Sequence, residues 1–189
     1  MCERCGWSTS NERMIRYHDE EWGVALHDDQ KLFEFFVLEG FQAGLSWQIV
    51  LNKREAFREV FDQFDPEKVA KYDDAKIAAL GENPAIIRNK AKIAACVNNA
   101  QRFLEVQKEF GSFDHYIWKF VDYKPIVNQY TSLSELPAKT PLSDAISADL
   151  KKRGFKFVGS TVIYAHMQAT GMVNDHLVSC YRHQQVILG

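Results

Sequence analysis

Two pairs of residues near the ends of this chain have the types that bind a soft metal: Cys5 with His18, and His176 with Cys180. Two thiolates and two imidazoles are the ligand set of a closed tetrahedral zinc site. His176 and Cys180 lie four apart, so a helix there aims both side chains at one point. Cys5 and His18 have twelve residues between them, which requires a loop that folds back. Cys2 and His183 lie close by in sequence and offer substitutes for Cys5 or Cys180. The plainer reading is a buried free cysteine and two histidines satisfied in the core. With four protein ligands no coordination position stays open, so such a metal staples the chain's ends together and does no chemistry.

A second candidate runs from Leu150 to Thr161 through Lys151-Lys152-Arg153-Gly154-Phe155-Lys156-Phe157-Val158-Gly159. Two helical patterns meet here at a short turn with glycine at each end, a helix-hairpin-helix layout. The free N–H groups of the turn and the positive end of the second helix form an anion site that suits a DNA phosphate, without reading sequence. Arg153 and Lys156 add charge, and Gly159 leaves room for close approach. The plainer reading is an ordinary helical connection, its lysines complementing a helix C-terminus.

Positioning these groups falls to helices. Apolar residues recur three and four apart from Leu32 to Phe64, with Gly40 and Gly44 expected to divide the stretch into two helices. Asp65-Pro66-Glu67 has the cap, N1 proline and first-turn acid of a helix start, and a short helix to Tyr72 follows. Asp73 or Asp74 caps the next. After Asn83-Pro84 the longest helix passes through Ile93, Val97, Ala100 and Leu104 to end near Gly111. Val121 to Leu136 reads as a connection with at most a short strand. Thr140-Pro141 or Ser143 starts a helix through Arg153, Gly154 stops it, and another spans about Ser160 to Thr170. The fold class is therefore all-α.

With 189 residues, 46% of them apolar, the chain can bury a core as one domain or two closely packed helical lobes. Its apolar runs are too short to span a bilayer, which leads us to expect a soluble cytoplasmic protein with no membrane partner. A net charge of -2 gives no overall attraction to nucleic acid, so DNA binding must rest on a local basic surface. Four irregularly spaced cysteines do not form a secreted disulfide framework.

Several phrases, in order, closely resemble the 3-methyladenine DNA glycosylase I family: Cys5-Gly6-Trp7, Tyr17-His18-Asp19-Glu20-Glu21-Trp22-Gly23, Leu38-Glu39-Gly40-Phe41-Gln42-Ala43-Gly44-Leu45-Ser46-Trp47, Phe64-Asp65-Pro66, Ile86-Ile87-Arg88-Asn89-Lys90, the hairpin from Lys151 to Gly159, and Val173-Asn174-Asp175-His176. The resemblance covers nearly the whole chain. It implies a single glycosylase domain over residues 1–189 with the helix-hairpin-helix fold, which hydrolyses the N-glycosidic bond of 3-methyladenine in double-stranded DNA and releases the free base. It places one structural zinc on Cys5, His18, His176 and Cys180, and a base pocket on Tyr17, Glu39 and Trp47, with Glu39 the catalytic residue. Two departures stand out: Ala85, where related chains often have glycine, and Phe41, where a polar residue is common beside the pocket segment.

The chemistry implied is extrusion of the damaged nucleotide and hydrolysis by water. Glu39 favours positive charge, and Trp47 and Tyr17 supply π-faces. Without the resemblance, Trp47 and Tyr17 read as core aromatics and Glu39 as an exposed helix end. Ser160 and Thr161 follow the hairpin where bifunctional relatives carry a lysine nucleophile, so no Schiff base or strand cleavage is expected. Asp175 is expected to orient a metal ligand or lie on the surface, and carries no assigned proton-transfer role. No redox or nucleotide cofactor is implied, and a monomer is expected. The competing reading is a non-enzymatic, zinc-stabilised DNA-binding module using the same hairpin.

Overall fold

The computed structural model describes residues 3–188. Its helices in chain order are α1 (Glu12–Glu20), α2 (Asp29–Gln42), α3 (Trp47–Val60), α4 (Pro66–Val69), α5 (Asp74–Glu82), α6 (Lys90–Phe110), α7 (Phe113–Trp118), α8 (Pro141–Lys152), α9 (Ser160–Ala169) and α10 (Tyr181–Leu188). Two short strands, β1 (Ile126–Val127) and β2 (Val173–Asn174), pair in parallel, Ile126 opposite Val173. None of these helices is long and apolar enough to cross a membrane.

Helix α2 is the central element. Leu32 to Glu39 and Phe41 are all buried, so it is enclosed on nearly every side, as befits a helix without a polar face. Its rings pack edge to face against neighbours: Phe33 on Phe103, and Phe36 on Phe113 and Phe155. One apolar cluster continues from Leu32 through α6 and α7 to Met172 and Val173.

Local start signals act as the sequence suggests. The Asp65 side chain accepts from the Glu67 N–H with Pro66 in the first turn, and Asp73 accepts from the Lys76 N–H. Thr140 and Ser143 both work, as the two halves of a capping box. Three expectations are corrected. Gly40 lies inside α2; the break is at residues 43–46, where the chain turns outward at Ala43 and Gly44 has a φ of +85°. The short helix after Pro66 ends at Val69, before Tyr72. The His176–Cys180 stretch is a turn rather than a helix, and α10 begins only at Tyr181.

The segment from Gly23 to Leu26 lies against the end of α9: the Gly23 N–H donates to the Gln168 carbonyl and the Leu26 N–H to that of Thr170. Gly171, with a φ of +72°, makes this approach possible, since a Cβ there would stand 2.4 Å from the Val24 carbonyl carbon. Gly171→Ala is therefore expected to destabilise the protein by at least about 2 kcal/mol, from left-handed strain plus collision with backbone. Denaturant unfolding checks this, and an unchanged midpoint would refute it.

Candidate active site and metal cluster

Four α-helices and three positions outside them converge on a cleft of about 310 Å³. Helix α1 supplies Met14 and Tyr17, α2 supplies Glu39 and Gln42, α3 starts with Trp47, α9 contributes Ala165 and Gln168, and Trp7, Trp22 and Leu136 complete the wall. The Tyr17 and Trp47 rings lie 5.3 Å apart, and Trp7 meets Trp22 edge-on at 5.0 Å. Glu39, Tyr17 and Trp47 are thus brought together, as their motif positions imply. Met14, Trp7, Trp22, Gln42 and Gln168 were not singled out as pocket residues from sequence. Trp7 and Trp22 sit beside Cys5 and His18 in the quoted phrases, which was the available signal; Gln168 offered none.

Glu39 is not an exposed helix end. It is 4% exposed, and no hydrogen-bond donor reaches its buried Oε2. The Trp47 Nε1–H is likewise buried without an acceptor. Buried polar groups are nearly always paired, so two orphans in one cleft point to a ligand that completes them. Burial alone pushes the Glu39 carboxyl up to about 8. Burial also pushes the Tyr17 hydroxyl well up, helped by the charges of Glu39 and Glu21. Behind Tyr17, Phe35 carries the Arg54 guanidinium 5.1 Å from its ring centre, and Arg54 is held by Glu34 and Glu21. Phe41 faces away from the cleft and packs on Phe57 at 4.7 Å in the core, so it does not shape the pocket.

Beside this wall, the donor atoms of Cys5, His18, His176 and Cys180 all lie within 4.8 Å of one another and can hold a metal ion. Cys180 Sγ is 3.5 Å from His18 Nε2 and 3.7 Å from His176 Nδ1, and Cys5 Sγ is 3.7 Å from His176 Nδ1. A tetrahedron with metal–sulfur bonds of about 2.3 Å and metal–nitrogen bonds of about 2.0–2.1 Å has edges near these lengths. Each imidazole is oriented from behind. His18 donates from Nδ1 to Asp19 at 2.8 Å and His176 from Nε2 to the Trp22 carbonyl at 2.9 Å, so the facing nitrogens keep their lone pairs for the cluster. Although burial opposes it, hydrogen bonds from Arg4, His18 and Tyr181 hold Asp19 below the usual carboxylate range. His183 is excluded as a ligand because its Nε2 meets the Asn128 carbonyl at 2.9 Å. Cys2 lies outside the described residues. Trp22 packs edge-on against His176 at 4.7 Å and Trp7 against His18 at 5.4 Å, so the cluster backs the cleft's aromatic wall.

Asp175 neither touches the cluster nor lies on the surface. Buried, it accepts from Asn128, Tyr164 and Gln168, and so ties the turn after β2 to α9 and the loop after β1.

The hairpin joins α8 to α9. Gly154, with a φ of +88°, ends α8, and Gly159 precedes α9 with no side-chain cap on the helix's first N–H groups. A Cβ on Gly159 would meet nothing within 4 Å, so open space lies before that helix end. Lys151, Lys152 and Lys156 are exposed around it. Arg153 belongs to the fold instead of to this surface. Its guanidinium bonds Asp149 at 3.0 Å and Glu109 at 2.7 Å, and lies over the Phe110 and Tyr116 rings.

A buried carboxylate among aromatic rings, beside a helix-hairpin-helix turn with basic flanks, defines an enzyme class that draws a base out of DNA and works on it in a pocket. Within that class the chain belongs to the methyladenine glycosylase family, whose family model matches residues 7–183. It is 51% identical over 178 residues to DNA-3-methyladenine glycosylase 1 of Escherichia coli strain K12, spanning 94% of this chain and 95% of that one. A crystal structure of 3-methyladenine DNA glycosylase I superposes with a TM-score of 0.92 at 47% identity, covering 95% of this chain and 98% of the other. A variant of 3-methyladenine DNA glycosylase I solved in complex with 3-methyladenine superposes with a TM-score of 0.91 at 36% identity, covering 94% and 96%.

Glu39 has a consequence for stability. Its carboxyl holds a proton up to about pH 8 when folded, against an ordinary value of 4.5, so its contribution is full below pH 4.5 and is lost as pH rises through 8. Glu39→Gln has no proton to lose. It is expected to match the parent near pH 4.5 and exceed it by on the order of 2–4 kcal/mol at pH 9. Unfolding measured across this range without DNA tests this, and a difference independent of pH would overturn it.

Proposed function

We propose that this protein is a monofunctional base-excision glycosylase that hydrolyses the N-glycosidic bond of 3-methyladenine in alkylated double-stranded DNA. The observation that carries the reading is the buried Glu39 carboxyl, its Oε2 without a donor, facing a cleft walled by Tyr17, Trp47, Trp7 and Trp22. Methylation at N3 leaves adenine cationic while it is still bonded to the sugar. A positive ring suits a buried carboxylate, and each aromatic face adds about 0.5 to 2 kcal/mol of cation–π attraction. Uncharged adenine draws no such attraction, so it does not offset the cost of ionising Glu39 in this dry site.

Phosphate contacts at the hairpin turn, Gly159 and Lys156 hold the backbone while the damaged nucleotide rotates out of the stack. The bond between sugar carbon and base nitrogen then breaks with its electron pair moving to the ring, which leaves as neutral 3-methyladenine. Water forms the new bond to the sugar carbon and gives its proton to solvent. Glu39, its proton released to solvent as the cation enters, selects the positively charged ring. That charge passes to the sugar as the bond breaks, so the acceleration comes from holding an already labile nucleotide extruded and in place for attack by water. Ser160 and Thr161 open α9, and neither side chain is an amine, which supports direct hydrolysis over a Schiff base.

The four-donor cluster is proposed to bind one structural zinc through Cys5, His18, His176 and Cys180. With all four positions filled by protein, the ion supplies cross-linking and no reaction chemistry. Thiols used as ligands and a chromosomal substrate support action in the cytoplasm, and we take the acting unit to be a monomer.

Chromatography of bases released from alkylated DNA tests the activity directly. Free 3-methyladenine above a no-enzyme control is expected; DNA binding without release would mark a binding module instead. Free 3-methyladenine should also perturb tryptophan fluorescence, and Glu39→Gln should weaken that binding by roughly 1 to 3 kcal/mol, the scale of a buried polar group left without its partner. Lys156→Glu should leave free-base binding intact and weaken damaged and undamaged duplex binding about equally. Should Glu39→Gln bind the base as tightly as the parent, Glu39 is not its reader.

For the metal, elemental analysis is expected to find one zinc per chain. Cys180→Ala should lose the zinc and lower the thermal midpoint, while the fraction that stays folded keeps most of its excision rate. Protein purified without chelator that lacks zinc would remove the claim.

A further inference from the structure

Lys92 and Asn99 belong to neither the cleft nor the hairpin, yet both are buried and polar on α6. They lie seven residues apart, about two turns, and so share a face of that helix. Lys92 Nζ donates to the Phe41 carbonyl at 3.0 Å and the Ala43 carbonyl at 2.8 Å, at the C-terminal end of α2. Among the described residues it has no carboxylate partner, and burial lowers its affinity for its proton. Asn99 grips the hairpin turn from both sides: its Nδ2–H donates to the Lys156 carbonyl at 2.9 Å, and its Oδ1 accepts from the Lys156 N–H at 2.8 Å. The adjacent Asn98 donates to the Gly154 carbonyl at 2.9 Å.

Lone lysine charges are rarely buried, and this one is satisfied only by carbonyls at the negative end of a helix. That helix end lies one turn beyond Glu39 and carries Gln42 of the cleft. The turn held by Asn99 leads through Phe157, whose φ is +56°, to Gly159 and the phosphate-binding helix end. One face of one rigid helix therefore holds the base reader and the backbone anchor. The space between them admits nothing larger than a water: a cleft of about 10 Å³ lined by Gly40, Phe41, Lys92, Asn99, Lys156 and Phe157.

We propose that Lys92 and Asn99 are positioning residues that set the spacing between the hairpin and Glu39, so that a backbone bound at the turn delivers its extruded base into register with the carboxylate. This rests on the glycosylase reading above. Neither residue touches substrate. Each acts through another segment, Lys92 through the end of α2 and Asn99 through the turn. A misplacement of an ångström at the reacting atoms is enough to cost a large factor in rate, which is why a fixed spacing matters.

The test is single-turnover excision from alkylated DNA at saturating enzyme, run with undamaged-duplex binding and free 3-methyladenine binding, on the parent, Lys92→Met, Lys92→Arg, Asn99→Ala and Lys92→Met/Asn99→Ala. Lys92→Met and Asn99→Ala are each expected to lose about tenfold or more in rate under saturation. Asn99→Ala keeps free-base affinity and Lys92→Met keeps undamaged-duplex affinity, each within about threefold, and Lys92→Arg recovers most of the rate by retaining a cationic donor. Because both act on one spacing, the double variant falls little further than the worse single one. Parental rates at saturation in the folded variants would overturn the proposal, as would fully additive losses or a rate loss that saturating enzyme restores. If a variant is unfolded at the assay temperature, the same comparison is made at a lower temperature where circular dichroism shows it folded. Failure of the parent itself to release 3-methyladenine would instead refute the glycosylase reading.

Discussion

A carboxyl group buried without a partner is the constraint around which this molecule is organised. Glu39 sits near the end of a helix enclosed by core on almost every side, and its Oε2 meets no donor. An isolated carboxylate in such a place is costly, so the carboxyl holds its proton well above the usual range. The helix cannot move to relieve that cost, because Phe33, Phe36 and Phe41 are locked against rings on its other faces. The core thus does more than stabilise: it keeps an unfavourable group at the wall of the cleft.

The cleft has no single scaffold. Its aromatic wall comes from segments distant in sequence, and the Cys5, His18, His176 and Cys180 donors from near the two ends of the chain meet directly behind Trp7 and Trp22. Both imidazoles are set by the Asp19 carboxylate and the Trp22 carbonyl before any ion is considered. Asp175 performs a parallel task with three neutral donors, fixing Gln168 at the cleft. These polar contacts hold the rings and helices of the cleft in place.

The surface near the hairpin separates charge that is free from charge that is used. Lys151, Lys152 and Lys156 project into solvent, whereas Arg153 is consumed by Asp149 and Glu109. A net charge of -2 is compatible with DNA binding because exposed positive side chains are gathered at one turn.

Much of this was legible from residues alone. Helix periods, caps at Asp65, Asp73 and Thr140, and the glycine stop at Gly154 are local matters, decided by backbone hydrogen bonding within a few residues, so an all-helical chain with a hairpin could be read directly. The Cys and His pairs were visible as a ligand set, and motif order pointed to Glu39, Tyr17 and Trp47. Other features were not local. His176 and Cys180 converge through a turn, because the fold brings the chain back past Cys5, whereas their spacing suggested a helix. Gly40 stays helical because burial of Glu39 and Phe41 on either side of it outweighs its weak propensity. Arg153 looked like a phosphate ligand until tertiary packing set two carboxylates against it. Whether Phe41 shapes the pocket could not be read from sequence, because it depends on the rotation of α2, which turns that ring to the core. The burial that raises Glu39 exists only once all the walls are assembled. Sequence determined which segments are helical and which groups can do chemistry; tertiary structure alone decided which of those groups are desolvated, paired or left free, because that depends on contacts between residues far apart in the chain.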